Sequence, residues 1–90
     1  MITIPINGIS GVRLSELQKG TAAVVQRVDE ARPGDAIAQR LRDLGFVKGA
    51  PVRVVAWGPI GADPVLVQVG YTRFALRRSE AARVRIELAA

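Results

Sequence analysis

The 90-residue chain contains no cysteine and no histidine. Without thiols there are no disulfides and no thiolate nucleophile, and the fold must be held by packing alone. Without imidazole the commonest general base is missing, as is the usual donor for zinc or ferrous iron. Aromatic residues are scarce too: one Trp, one Tyr and two Phe. Four spread aromatics do not line the groove that recognition of proline-rich peptides needs. The longest apolar runs, such as Ala22–Val25, fall far short of the ~20 residues needed to cross a bilayer. No direct membrane insertion is expected. The opening MITIPINGISGVR has neither a basic start nor a long apolar stretch, so no signal peptide is read and a cytoplasmic location is expected.

Acidic residues are outnumbered, 8 against 13 basic ones, for a formal charge of +5. The eight acids are scattered, and nothing among the Ser, Thr, Tyr, Lys and carboxylate side chains forms a catalytic constellation, so the chain is not expected to be an enzyme. GPIGAD (58–63) has two glycines but no Lys-Ser/Thr after them and no helix start, which excludes a P-loop. The arginines concentrate late: Arg73, Arg77, Arg78, Arg83 and Arg85 stand against Glu80 alone. Such a patch attracts phosphate or an acidic protein surface, or is simply a solvated face.

What the chain does have is short β-forming segments. Almost half of it is apolar, mostly Val, Leu, Ile and Ala, and its length allows one domain. Ile2, Thr3, Ile4, Pro5 and Ile6 read as an edge strand or arm, an extension over 1–12 that offers pairing groups to a second copy and so a homodimer. Leu14 and Leu17 make one helical turn near 14–18, stopped by Gly20. Residues 21–29 alternate as a strand, with Ala22, Val24, Gln26 and Val28 on one face and Ala23, Val25 and Arg27 on the other.

After the EARPG turn, Asp35 caps an amphipathic helix over 35–44 whose apolar stripe is Ile37, Leu41 and Leu44, ended by Gly45. A strand over 52–57 has Val52, Val54 and Ala56 on the core side. GPIGAD then forms a longer hairpin loop, and a strand with Val65, Val67 and Val69 inward follows. A strand over 71–77, a capped helical turn near 79–83 beginning at Ser79, and a closing strand at 84–86 complete the order. Trp57 and Tyr71, at strand ends, are expected to be half-buried. The fold class is mainly β: a small barrel of about five strands with one inserted helix, closed so that short edges are protected.

The motif order resembles the FeoA family over roughly 13–87. Its residues are Leu14, Leu17 and Gly20; Leu41, Asp43, Leu44, Gly45, Phe46 and Gly49; Val52, Val54, Pro59, Gly61, Asp63 and Pro64; and Gly70, Tyr71, Ala75, Leu76, Arg77, Arg78 and Glu80. The resemblance implies an SH3-like barrel over 13–88 and a non-enzymatic accessory role in ferrous iron uptake. It implies a partner, FeoB, the membrane transporter with a cytoplasmic GTPase domain. It places the contact on the helix end and the cleft beside it, at Arg40, Arg42, Asp43, Leu44, Gly45 and Phe46, although Leu41, Leu44, Phe46 and Val47 also read as core.

No resident cofactor is required. Asp29, Glu30, Asp35, Asp63 and Glu80 are oxygen donors suited only to weak or adventitious binding of a divalent ion. Two alternatives accompany this reading. A basic barrel that binds nucleic acid would use the arginine patch, but Tyr71 and Phe74 alternate poorly with it for stacking, and nucleic acid is not the expected partner. A barrel of the kind appended to iron-dependent transcriptional repressors would lack here the DNA-binding region that precedes it.

Overall fold

The structure is a computed structural model that describes residues 12–61 and 63–88. The expected arm at 1–6 lies outside them. The elements are β1 (Val12–Arg13), a 3-10 turn (Leu14–Glu16), β2 (Ala23–Val28), α1 (Ala36–Asp43), β3 (Pro51–Ile60), β4 (Asp63–Val69), β5 (Thr72–Leu76), α2 (Arg78–Ala81) and β6 (Val84–Leu88). All six strands form one antiparallel sheet in the order β1-β6-β2-β3-β4-β5. The fold is mainly β as expected. The count is six rather than five because Val12 and Arg13 pair with Ile86 and Arg85.

One sheet can enclose a core only if it curls, and bulges supply the bend by adding a residue to one strand of a pair. The register shifts between Val25 and Arg27 on β2, and twice on β3, between Val54 and Ala56 and between Trp57 and Ile60. Residues from strands far apart in the order then share one cluster, including Leu14, Val25, Leu41, Phe46, Val54, Val67, Leu76 and Ile86. The first bulge also corrects the strict alternation expected for β2. Ala23 and Val25 point inward, but the extra residue returns Val28 to their side rather than to that of Val24. On β3, the inserted Val55 has the same effect: Val52 and Val54 are buried, after which Ala56 and Trp57 are both half-buried, with Trp57 packed against the core.

The expected loop at GPIGAD is instead hairpin backbone. β3 runs on to Ile60, which pairs with Asp63, leaving a tight turn that begins at Gly61. This is possible because Gly58 has no side chain: a Cβ there would lie 2.5 Å from the Asp63 carbonyl oxygen and 2.6 Å from that of Pro64. On the next turn Tyr71 is fully exposed, not half-buried. It follows Gly70 at the sharp β4–β5 reversal, where Gly70 takes φ +58° and nothing overhangs the turn.

Both short helical turns close by the same device. Glu16 accepts a hydrogen bond from the Arg13 backbone N–H at 3.0 Å, and Glu80 accepts from that of Arg77 at 2.9 Å. The cap of α2 is therefore at Arg77, two residues before the expected Ser79, and the reach-back of a glutamate at the third helical position sets it.

Candidate partner-docking surface

Helix α1 is fixed at both ends by local chemistry. Asp35 is the cap: one carboxylate oxygen accepts from the Ile37 N–H at 3.0 Å, the other from the Ala31 N–H at 2.9 Å. That second oxygen also receives the Arg83 guanidinium, 48 residues on. Asp35 is the buried charged residue among those described, 2% exposed, and it is fully partnered. The Ala31 N–H, with help from Ile37 and Arg83 and against the opposing effect of burial, lowers its carboxyl from the ordinary 3.8 to about 2.

At the far end Gly45, with φ +115°, donates to the Arg42 carbonyl at 3.0 Å, and Phe46 donates to that of Leu41 at 3.1 Å. This is a Schellman closure, with its usual apolar contact made by Leu41 and Phe46. Phe46 is wholly buried and meets Phe74 at 6.3 Å between ring centroids, tilted by 50°.

The inward stripe of α1 is Ala38 and Leu41 rather than Ile37, Leu41 and Leu44. The helix is rotated so that Ile37 and Leu44, seven residues apart, lie at the margin: Ile37 is 38% exposed and Leu44 half-buried. The small Ala38 lets the helix axis approach the barrel closely. After Phe46 the chain is tied to β2, with the Val25 N–H on the Ala50 carbonyl and the Gly49 N–H on that of Val25, both at 2.8 Å. Val47, read as core from sequence, projects from this pinned loop and is 50% exposed, and the neighbouring Lys48 is exposed too. A cleft of about 260 Å³ opens beside it, lined by Val28, Arg42, Phe46, Val47 and Lys48 among others.

The polar residues expected to meet a partner are already engaged. Arg40 pairs with Glu80 on α2 at 3.0 Å, Arg42 with Glu30 at 2.6 Å, and Asp43 accepts from the Gln39 amide at 2.9 Å. With Asp35–Arg83, these ion pairs clamp α1 against the barrel. Phe46 supports the surface from below and does not reach it. The exposed apolar side chains here are Val47, on the loop beside the cleft, and Ile37, at the start of α1; Arg40, Asp43 and Lys48 are the exposed charged residues of this segment. The signal for Val47 in the sequence is its place between two turn glycines, Gly45 and Gly49, in a short reversal whose inward position Phe46 takes.

The five candidate oxygen donors are not brought together. Asp29 lies between Arg27 and Arg85 at 3.0 and 2.6 Å, Glu30 holds Arg42, Glu80 holds Arg40, and Asp63 accepts from the Arg78 N–H at 2.9 Å. Among the described residues no three acidic side chains cluster as a metal site. Hydrogen bonds and charge from Arg85 and Arg27 outweigh burial, the largest single influence, and leave the Asp29 carboxyl below its ordinary value. The arginine patch is likewise divided: Arg83 and Arg85 turn to Asp35 and Asp29, while Arg73 stands on β5, at the opposite side of the sheet order from β6. No described helix is long and apolar enough to cross a membrane.

A single curled antiparallel sheet with a helix inserted between β2 and β3 defines a small SH3-like barrel. The FeoA domain family matches residues 12–88, and the chain belongs to that family. The crystal structure of Stenotrophomonas maltophilia FeoA complexed with zinc, described as an SH3 domain protein, is 60% identical; the match covers 84% of this chain and 89% of that one, with a TM-score of 0.77. The Fe(2+) transport protein A/Fe(2+) transporter FeoB fusion protein of Porphyromonas gingivalis (strain ATCC BAA-308 / W83) is 39% identical over 77 residues, 86% of this chain. The chain spans 9% of that relative's length. A manganese-dependent transcriptional repressor, 16% identical with a TM-score of 0.76 over 97% of this chain and 45% of its own, shares the fold alone.

Proposed function

We propose that this chain is a cytoplasmic, non-enzymatic accessory module of ferrous iron uptake that acts by docking on a FeoB-type transporter and needs no resident cofactor. The observation that carries the reading is the Porphyromonas gingivalis relative, in which a segment 39% identical over 77 residues is joined to FeoB in one polypeptide. In that relative the joining polypeptide holds the two parts near each other, which supports a contact between their surfaces. The Val47 loop suits that contact: Val47 is apolar and half exposed, the loop is pinned by the Schellman closure and its backbone bonds to β2, and it borders a cleft. Apolar anchors beside a pocket with a charged rim are the usual anatomy of a small protein interface.

The reading is tested by passing membrane-extracted FeoB from the same organism over the immobilised chain, beside an unrelated SH3-like domain of similar charge. Retention on this chain alone is expected. Equal retention on both, or none on either, would remove the proposal.

A further inference from the structure

Five arginines in the described residues, Arg27, Arg40, Arg42, Arg83 and Arg85, hold carboxylates of this chain. Arg53 and Arg73 do not, although only Gln68 stands between them. On the outer face of the sheet Arg53 of β3 stands opposite Gln68 of β4, and Gln68 stands opposite Arg73 of β5. Both guanidiniums turn to the same neutral atom, the Gln68 side-chain oxygen, Arg53 at 3.5 Å and Arg73 at 3.3 Å. The Gln68 amide nitrogen is committed elsewhere, donating to the Gly70 carbonyl at 3.1 Å, which fixes the oxygen toward the arginines. Two cations thus share one uncharged acceptor at distances beyond the usual 2.7–3.2 Å range for such bonds. A carboxylate accepts from two guanidiniums at shorter range and removes their mutual repulsion.

We infer that the Arg53–Gln68–Arg73 ladder is a carboxylate clamp for an acidic segment of a partner protein, on a surface distinct from the α1 face. A groove of about 300 Å³ adjoins it, lined by Ala22, Ala23, Pro51, Val52 and Gly70 together with Arg53 and Gln68. Its small apolar walls take an aliphatic side chain next to the acidic one. They offer no aromatic face on which a base would stack, which favours a peptide over a single-stranded nucleic acid. Lys19 lies with Arg53 along a neighbouring groove and extends the positive strip.

The test is a titration of the full chain with an octaglutamate peptide at low salt, read residue by residue from backbone amide NMR shifts. Shifts centred on Arg53, Gln68, Gly70 and Arg73 are expected. Arg53→Gln or Arg73→Gln should weaken binding at least fivefold, and Arg32→Gln, exposed in the turn before α1, less than twofold. Gln68→Glu supplies the carboxylate from within, so it should abolish peptide binding while the protein stays folded and at least as stable. Shifts spread evenly over all exposed basic residues, or an equal loss in Arg32→Gln, would overturn the inference. So would tighter binding of oligouridylate or inorganic polyphosphate than of octaglutamate at the same residues, which would assign the ladder to phosphate.

Discussion

Gly58→Ala is a test of sign. Where a glycine can accept a methyl group, replacing it with alanine stabilises a protein by about 0.4–1 kcal/mol, because the unfolded chain loses freedom. Gly58 shows no positive φ, so alanine meets no backbone penalty of its own, and an open loop at this point would give that gain. In the structure the added Cβ would stand 2.5–2.6 Å from the carbonyl groups of Asp63 and Pro64, on backbone that cannot swing aside as a side-chain tip can. Relief requires the two strands to part near the Ile60–Asp63 pair, and Asp63 also holds the first turn of α2 through the Arg78 N–H. Overpacking of this kind costs roughly 1–3 kcal/mol.

Set against the entropic gain, a net loss of about 1–2 kcal/mol is expected, which for a domain of this size lowers Tm by about 5–15 °C. Urea melts followed by circular dichroism, with an unchanged m value, would measure it. A variant as stable as the parent, or more stable, would refute the close approach and return GPIGAD to a loop.

Phe46→Ala removes the largest fully buried side chain together with its ring contact to Phe74, and a loss of roughly 3–5 kcal/mol is expected in chemical denaturation. Such a loss is most of the stability of a marginal 90-residue domain, so Phe46→Leu is the measurable companion. Asp35, whose folded pKa is depressed from 3.8 to about 2, adds stability that is present above about pH 4 and is lost as the pH falls through about 2. Asp35→Asn should therefore flatten the acid limb of the urea midpoint against pH in that window relative to wild type. The Arg40–Glu80 pair has an arginine 62% exposed, so a double-mutant cycle should give no more than about 1 kcal/mol.

The class of fold is legible in three features of the chain: β-branched alternation at 65–69, the Asp35 cap and the Gly45 stop. All three are local rules, and all three are present in the structure. What escaped the sequence is non-local. Bulges carry no marker of their own, so the extra residues at Gln26 and Val55 inverted half of each expected face. Gly58-Pro59 reads as a turn until the opposing backbone of Asp63 and Pro64 is known.

At the candidate site, helical spacing placed Ile37, Leu41 and Leu44 on one stripe but could not say where the barrel's contact is centred. The close approach permitted by Ala38 decides that, and it turns Ile37 outward. Arg40, Arg42 and Glu80 were each visible as charges. That they clamp α1 to the barrel depends on partners 12 and 40 residues away. Arg53 and Arg73 become a pair only through the register of three strands.

Docking of the Val47 loop on a FeoB-type transporter is read from the affinity of immobilised wild type and Val47→Glu for membrane-extracted FeoB. Val47 is half exposed, so the substitution should change stability by no more than about 0.5 kcal/mol, and a thermal melt verifies that both proteins are folded. A charge placed at an apolar anchor should weaken binding at least tenfold. Equal affinity of FeoB for the folded variant and the wild type would contradict the account.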